Sequence, residues 1–276
     1  MLETVDGVIL AVRDAEAATK RFGELFGAQL GQVNETDLGA KIASLQAGRD
    51  FIHLAEPTGP GPIADHIDRW GEGIVGVVFS AHDVDAVAKN LERVGIGVHR
   101  SDGAIRLDSG ETHGLLTVVM PYVEQEPVGV LSFLYEVTHL VEDWKAVSAF
   151  WTKAFGLDGA KFSPISSKQY GYDGMLTLFD PPDKLDRVEV VTPYGDGAMN
   201  RFFTKRGEGP YMFFAETHDR DALLKRLDAA GARYATGKDP NSSVFVHPSA
   251  THGVLIGVSP TDQAWVWSGR PELAGT

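Results

Sequence analysis

Two glutamates sit inside apolar, strand-like runs. Glu136 opens Glu136-Val137-Thr138-His139-Leu140-Val141, and Glu189 is central in Arg187-Val188-Glu189-Val190-Val191. Alternation along an extended chain puts Glu136, Thr138 and Leu140 on one face and His139 on the other. It likewise puts Arg187 and Val191 on the face of Glu189. A carboxylate carried into an apolar interior without a partner is costly, so such a residue is either paired or kept for chemistry. If the two glutamates share one interior, their repulsion raises one pKa and leaves a proton donor beside an acceptor. That pair can move a proton on a substrate carbon. The structural alternative for Glu189 is an ion pair with Arg187.

Other candidates are weaker. His53 lies in the half-buried run Asp50-Phe51-Ile52-His53-Leu54, where a lone histidine is more often a satisfied core residue. The stretch 161–172 carries Ser166, Ser167, Lys168, Gln169, Tyr170 and Tyr172 and is expected to be a long loop over a site. Tyr170 and Tyr172 are its candidate substrate contacts, with Phe202, Phe203 and Met212 as an apolar lining. His66 on a short linker, and His247 and His252 near the last hairpin, are minor candidates. No Gly-rich phosphate loop follows a strand, and no Gly-x-Ser-x-Gly elbow occurs.

The elements that must position these residues recur along the chain. With a shift of 136, residues 57–95 fall on 193–231 with 13 of 39 positions identical, far above chance. The matches include Gly71-Glu72-Gly73 on Gly207-Glu208-Gly209 and His82-Asp83 on His218-Asp219. A shift of 129 puts Asp14 on Asp143, Phe22 on Trp151, Phe26 on Phe155 and Gly27 on Gly156. The seven-residue change of shift is expected in the 162–172 loop. Each half divides again. A buried strand, Val8-Ile9-Leu10-Ala11-Val12, precedes a helix that Asp14 caps and Gly27 stops. The same order starts at Val75, Val137 and Tyr211, and short β-type runs then end at Pro57, Pro121, Pro193 and Pro260. This gives four strand–helix–strand–strand–strand copies, with amphipathic linkers at 63–70 and 199–206.

Composition narrows the partners. The 276 residues hold 25 Lys+Arg against 38 Asp+Glu, a net charge of −13, and no cysteine. The acidic balance argues against nucleic acid or an anionic membrane surface. Zero cysteine removes disulfides, thiol nucleophiles and Cys-ligated metal. The N-terminus lacks a signal-peptide pattern, so the cytoplasm is the expected location.

The linker Pro62-Ile63-Ala64 through Arg69-Trp70-Gly71-Glu72-Gly73, followed by Val84-Asp85-Ala86-Val87, resembles the vicinal oxygen chelate superfamily of glyoxalases, extradiol dioxygenases, methylmalonyl-CoA epimerases and bleomycin-resistance proteins. The linker is most similar to an epimerase. The endings Thr112-His113-Gly114-Leu115-Leu116 and Thr251-His252-Gly253-Val254-Leu255 resemble that group too, and the likeness spans about 5–260. It implies an α+β fold of four βαβββ modules in two paired-module cups. The N-terminal pair, 1–125, would join 5–57 with 71–121, and the C-terminal pair, 126–276, would join 131–193 with 207–260.

The resemblance also implies where a metal would be held, on the first and last strands of each module. Counted from the capping aspartates, the first-strand positions are Gly7, Gly76, Glu136 and Met212. Counted from the closing prolines, the last-strand positions are His53, Thr117, Glu189 and Ile256, with Val118 and Gly257 as one-residue alternatives. The first cup keeps only His53 and is expected to bind no metal. In the second, Glu136 and Glu189 would either ligate one divalent cation, Mg²⁺ or Mn²⁺, or act as a metal-free acid–base pair. His53, Tyr170, Tyr172, Arg187, Phe202 and Met212 are the expected substrate contacts. The iron triad of two histidines and a carboxylate is missing, unless His139 supplies part of it.

The expected function is isomerase, lyase or related proton-transfer chemistry on an oxygenated, partly apolar small molecule in the C-terminal cup. The alternative is a metal-free binding or antibiotic-sequestering protein, and a weaker one an extradiol-type dioxygenase. A homodimer is left open.

Overall fold

The computed structural model describes residues 1–274. The first module runs β1 (Val5–Ala11), α1 (Ala15–Phe26), β2 (Gln29–Thr36), β3 (Ala40–Ala47) and β4 (Asp50–Pro57). A linker helix α2 (Pro62–Trp70) leads to β5 (Gly73–Ala81), α3 (Val84–Arg93), β6 (His99–Ser101), β7 (Ala104–Leu107) and β8 (Leu116–Pro121). The third module has β9 (Phe133–Leu140), α4 (Trp144–Phe155), β10 (Ser163–Ser167), β11 (Tyr172–Leu176) and β12 (Arg187–Pro193). After the linker helix α5 (Ala198–Arg206) come β13 (Gly209–Thr217), α6 (Arg220–Ala229), β14 (Tyr234–Thr236), β15 (Val244–Val246) and β16 (Leu255–Pro260), then a short α7 (Ala264–Trp267).

Local chemistry sets these boundaries. The carboxylates of Asp14, Asp83, Asp143 and Asp219 each accept a backbone N–H of the first helical turn. Gly27 and Gly156 end α1 and α4 in the left-handed region.

The fold is α+β, with two eight-stranded sheets ordered β2-β3-β4-β1-β5-β8-β7-β6 and β10-β11-β12-β9-β13-β16-β15-β14. In every module the first strand runs parallel to the last, and the two first strands of each half pair antiparallel at the sheet centre. Each cup therefore closes within one half of a single chain. The module helices pack between the convex faces, where residues of both halves form one apolar cluster that includes Phe22, Phe79, Trp151, Phe155 and Phe213. Phe79 meets Trp151 and Phe179 edge-on across the junction. Burying such rings is worth roughly 1.5–3 kcal/mol each.

The stretch 161–172 is not a loop. Residues 163–176 form the hairpin β10–β11, whose register continues into β12. The seven extra residues are spread out. Four lie in the next turn, where 180–185 stand in place of Gly48 and Arg49, since Phe179 N–H still reaches the Asp186 carbonyl. One more lengthens the β10–β11 turn, and two precede β10. Strand alternation continues through a hairpin and leaves a polar face outward, so composition alone reads it as a loop.

The repeated motifs interlock across the halves. The Glu72 carboxylate accepts from Arg13 N–H at 2.8 Å and sits 3.0 Å from His252 Nδ1. Its repeat mate Glu208 accepts from Glu142 N–H at 2.9 Å and sits 3.1 Å from His113 Nδ1. Gly114 and Gly253 are at φ 84° and 83°, and a Cβ on either would lie 2.1 Å from the carbonyl oxygen of Glu208 or Glu72. Only glycine fits both the conformation and the approach.

A second reciprocal contact uses buried aspartates. Asp50 accepts from Leu134 N–H at 2.5 Å, and Asp186 accepts from Val5 N–H at 2.7 Å. Each caps the first strand of the other half, beside a polar cavity of roughly 240 Å³ that Asp6 also lines. Burial pushes Asp186 up to about 7 and Asp6 up to about 6, and lifts Asp50 well above the carboxylate range, helped by the charge of Asp186. An acid whose pKa is raised on folding stabilises the folded state at low pH, and that contribution is lost as pH rises through the folded value. The melting temperature is therefore expected to fall between pH 5 and 8. Asp186→Asn, which keeps an acceptor for Val5, should remove part of that decline, up to about 3 kcal/mol in denaturant titrations.

Candidate functional site in the C-terminal cup

Parallel pairing of β12 with β9 sets Arg187 beside Glu136 and Glu189 beside Thr138. All four side chains turn inward. Arg187 is fully buried, Glu136 is 2 % exposed and Glu189 6 %. Arg187 Nε donates to Glu136 Oε2 at 2.6 Å and Nη1 donates to the Leu185 carbonyl at 3.1 Å. The guanidinium lies 4.7 Å from the centroid of the Tyr135 ring. Its Nη2 has no hydrogen-bond partner. The ion pair that was the structural alternative for Glu189 is thus made by Glu136.

Glu189 is held differently. The Thr138 hydroxyl donates to Glu189 Oε2 at 2.5 Å, and the Tyr172 phenol faces the same carboxyl. Burial raises both glutamates, but the Arg187 guanidinium pulls Glu136 back down, while the Glu136 charge pushes Glu189 further up. One guanidinium thus faces two carboxylates, it contacts Glu136 directly, and the upward push is the stronger on Glu189. Proximity to Glu189 and Glu136 also raises Tyr172, after burial.

The surroundings are apolar. Leu176 stands opposite Glu189 and Phe214 opposite Glu136. One end of the cup is closed by Trp265 of α7 with Tyr135, Leu178 and Leu185. At the other end Tyr172, Phe202, Phe203 and Tyr211 are only partly buried against Leu140, Val191 and Met199. Met212 is buried opposite Thr138, whereas Tyr170 is exposed on the β10–β11 turn. Gly257 and Val118, the one-residue alternatives, lie on the concave faces, Gly257 under the Phe214 ring. Ile256 belongs to the cluster between the sheets.

The N-terminal cup has lost this chemistry. Gly7 and Phe51 stand where Glu136 and Arg187 stand in the repeat, and His53 replaces Glu189. His53 Nδ1 is 2.9 Å from Ser44 Oγ, and burial lowers its pKa to about 4, so the ring is neutral. Its Nε2 has no partner and points toward Gly7.

The donor set does not fit a divalent cation. Arg187 already occupies the position beside Glu136 that a cation would need. Among the described residues no three His, Asp or Glu side chains come together in a way that could hold a metal ion. His139 does not supply the missing iron ligand. It lies on the opposite face, with Nε2 at 2.7 Å from the His113 carbonyl and its ring edge-on to Trp151.

A second feature was not foreseen. A cavity of roughly 550 Å³ opens at the mouth of the N-terminal cup, between α2 and the start of β13. It is lined by His66 and Trp70 of one half and Phe202 and Arg206 of the other. The 136-residue shift places Trp70 on Arg206 and His66 on Phe202, a difference between repeats that could have marked the place. Among the described residues no helix is long and apolar enough to cross a membrane.

Comparisons with known proteins agree with this fold. Over 99 % of both chains it superposes on a triple mutant of 4-hydroxymandelate synthase from Streptomyces coelicolor, with a TM-score of 0.75 and 12 % identity. A xylose isomerase-like TIM barrel/4-hydroxyphenylpyruvate dioxygenase fusion protein matches 94 % of this chain and 49 % of its own, with a TM-score of 0.65 and 12 % identity. Methylmalonyl-CoA epimerase from Mycobacterium tuberculosis is 22 % identical over 48 % of this chain and 89 % of its own, with a TM-score of 0.40. No curated protein matches the sequence. Residues 4–127 match the Glyoxalase/Bleomycin resistance protein/Dioxygenase superfamily. The first half of the chain thus belongs to the glyoxalase/bleomycin resistance protein/dioxygenase superfamily, and the second half repeats the same fold.

Proposed function

We propose that the C-terminal cup carries out metal-free proton transfer on an oxygenated, partly apolar small molecule, the chemistry of an isomerase or lyase. The observation that carries this reading is a buried Glu189, its proton affinity raised by burial and by the Glu136 charge, beside a Glu136 that Arg187 Nε holds at 2.6 Å. Glu189 is the group that gives or takes the proton. Thr138 and Tyr172 orient its carboxyl, and Arg187 keeps a positive charge next to the oxygen on which negative charge develops. The partly buried Tyr172, Phe202, Phe203 and Tyr211 form the entrance and favour a substrate with an apolar part. Glu136 is a positioning residue, since its charge sets the proton affinity of Glu189. Ligand binding without turnover is the second reading, favoured by the depth at which Glu189 lies.

The test is solvent deuterium incorporation into a panel of carbonyl compounds bearing an acidic C–H. At least one compound should exchange with the wild type, and Glu189→Gln should slow that exchange about 100-fold or more. Exchange by the variant at the wild-type rate would remove Glu189 from the chemistry.

The charge balance predicts a pattern of stabilities as well. Arg187→Met leaves Glu136 buried and unpaired and should cost about 3–5 kcal/mol in urea unfolding. Adding Glu136→Gln to that variant should recover most of the loss.

A further inference from the structure

The cavity of roughly 550 Å³ at the mouth of the N-terminal cup is separate from the Glu189 site and has its own chemistry. Two guanidinium groups reach it, and they differ. Arg106 is fully engaged, with Asp37 at 2.8 Å and with Asp108. The Glu208 carboxylate is likewise taken by His113 and by Glu142 N–H. Arg206 has no carboxylate partner among the described residues. Its Nη2 donates to the Trp70 carbonyl at 3.0 Å, and its guanidinium lies 4.5 Å from the Phe202 ring centroid and 5.5 Å from that of Trp70.

Those contacts fix the plane of the guanidinium and leave Nη1 free. A Cβ built on Gly73 would lie 3.8 Å from Arg206 Nη1 and 3.8 Å from His66 Nε2, so both nitrogens border the same point of the wall. His66 Nε2 is buried without a partner. Burial, and then the nearby Arg206 charge, lowers His66 to about 4 and keeps the ring neutral, able to donate one hydrogen bond. Ile63, Ile74 and Leu116 give the wall an aliphatic part, beside the engaged Asp37, Asp108 and Glu208 and the hydroxyl of Ser109. The volume lies within the usual range for small-molecule sites.

We propose that this cavity binds a small organic monoanion with an aliphatic body, its carboxylate on Arg206 Nη1 and His66 Nε2 and its body against Ile63 and Leu116. The two ligand-gripping side chains come from different halves, so the site exists only because the halves dock. A planar carboxylate suits the fork of a guanidinium that aromatic rings already orient. A neutral isostere gains the aliphatic contact but leaves the guanidinium unanswered.

The full-length protein can be titrated with octanoate and with octanamide, followed by NMR shifts. Octanoate should bind at least about tenfold more tightly than octanamide. Arg206→Gln should weaken octanoate by about tenfold to a hundredfold and leave octanamide within a factor of about two. Leu116→Trp, which fills the aliphatic wall and keeps Arg206, should abolish binding of both, and it serves if the first variant fails to fold. Equal affinity for the acid and the amide would overturn the proposal. So would octanoate binding that survives either variant, or no octanoate binding at about 10 mM.

Discussion

Two halves of one chain must dock through surfaces that the duplication made alike, and the rest of the molecule depends on how they do so. Each half lends the other two carboxylates. Glu72 and Glu208 hold the opposite His252 and His113 while their backbone presses on Gly253 and Gly114. Asp50 and Asp186 cap the opposite first strands. Because the contacts are reciprocal, losing one half would leave buried carboxylates and strand-end N–H groups unpaired in the other. Unpaired buried polar groups cost about 1–3 kcal/mol each, more when charged. The docking also presses the module helices into one shared apolar layer and turns both concave faces outward.

From the same scaffold the two concave faces have diverged. The N-terminal face has Gly7, Phe51 and a neutral His53 where the C-terminal face has Glu136, Arg187 and Glu189. The first is apolar in its depth and opens into a cavity at its mouth. The second buries two acids and one base. In that enclosed place a single guanidinium pairs with a single carboxylate, and burial with the Glu136 charge pushes the pKa of the remaining acid upward. The superfamily scaffold carries the residues, and the charge count decides what they can do.

Much of this arrangement was legible in the sequence. Identical helix caps and a shift of 129 or 136 residues exposed four modules, because capping aspartates and stop glycines answer local geometry that every copy shares. Alternation correctly put Glu136 and Glu189 inward and His139 outward. What it could not supply was pairing between strands distant in the chain. The structural alternative that pairs Arg187 with Glu189, two residues along the same strand, therefore fails, because register gives Arg187 to Glu136. The polar outward face of the hairpin at 163–176 reads as a loop in composition. The Gly-Glu-Gly and Thr-His-Gly repeats were visible, but not that they meet each other. Asp50 and Asp186 also match at the 136-residue shift, just outside the stretch whose identities made the duplication plain. The Arg206 site draws on both halves, so no single module announces it.

The central claim is that two carboxylates and one guanidinium in the C-terminal cup share a single proton, carried by Glu189. Infrared difference spectroscopy of the wild type against Glu189→Gln at neutral pH addresses it directly. The account predicts a protonated-carboxyl carbonyl band in the wild type that is missing from the variant. A difference spectrum showing only the loss of an ionised carboxylate would contradict it.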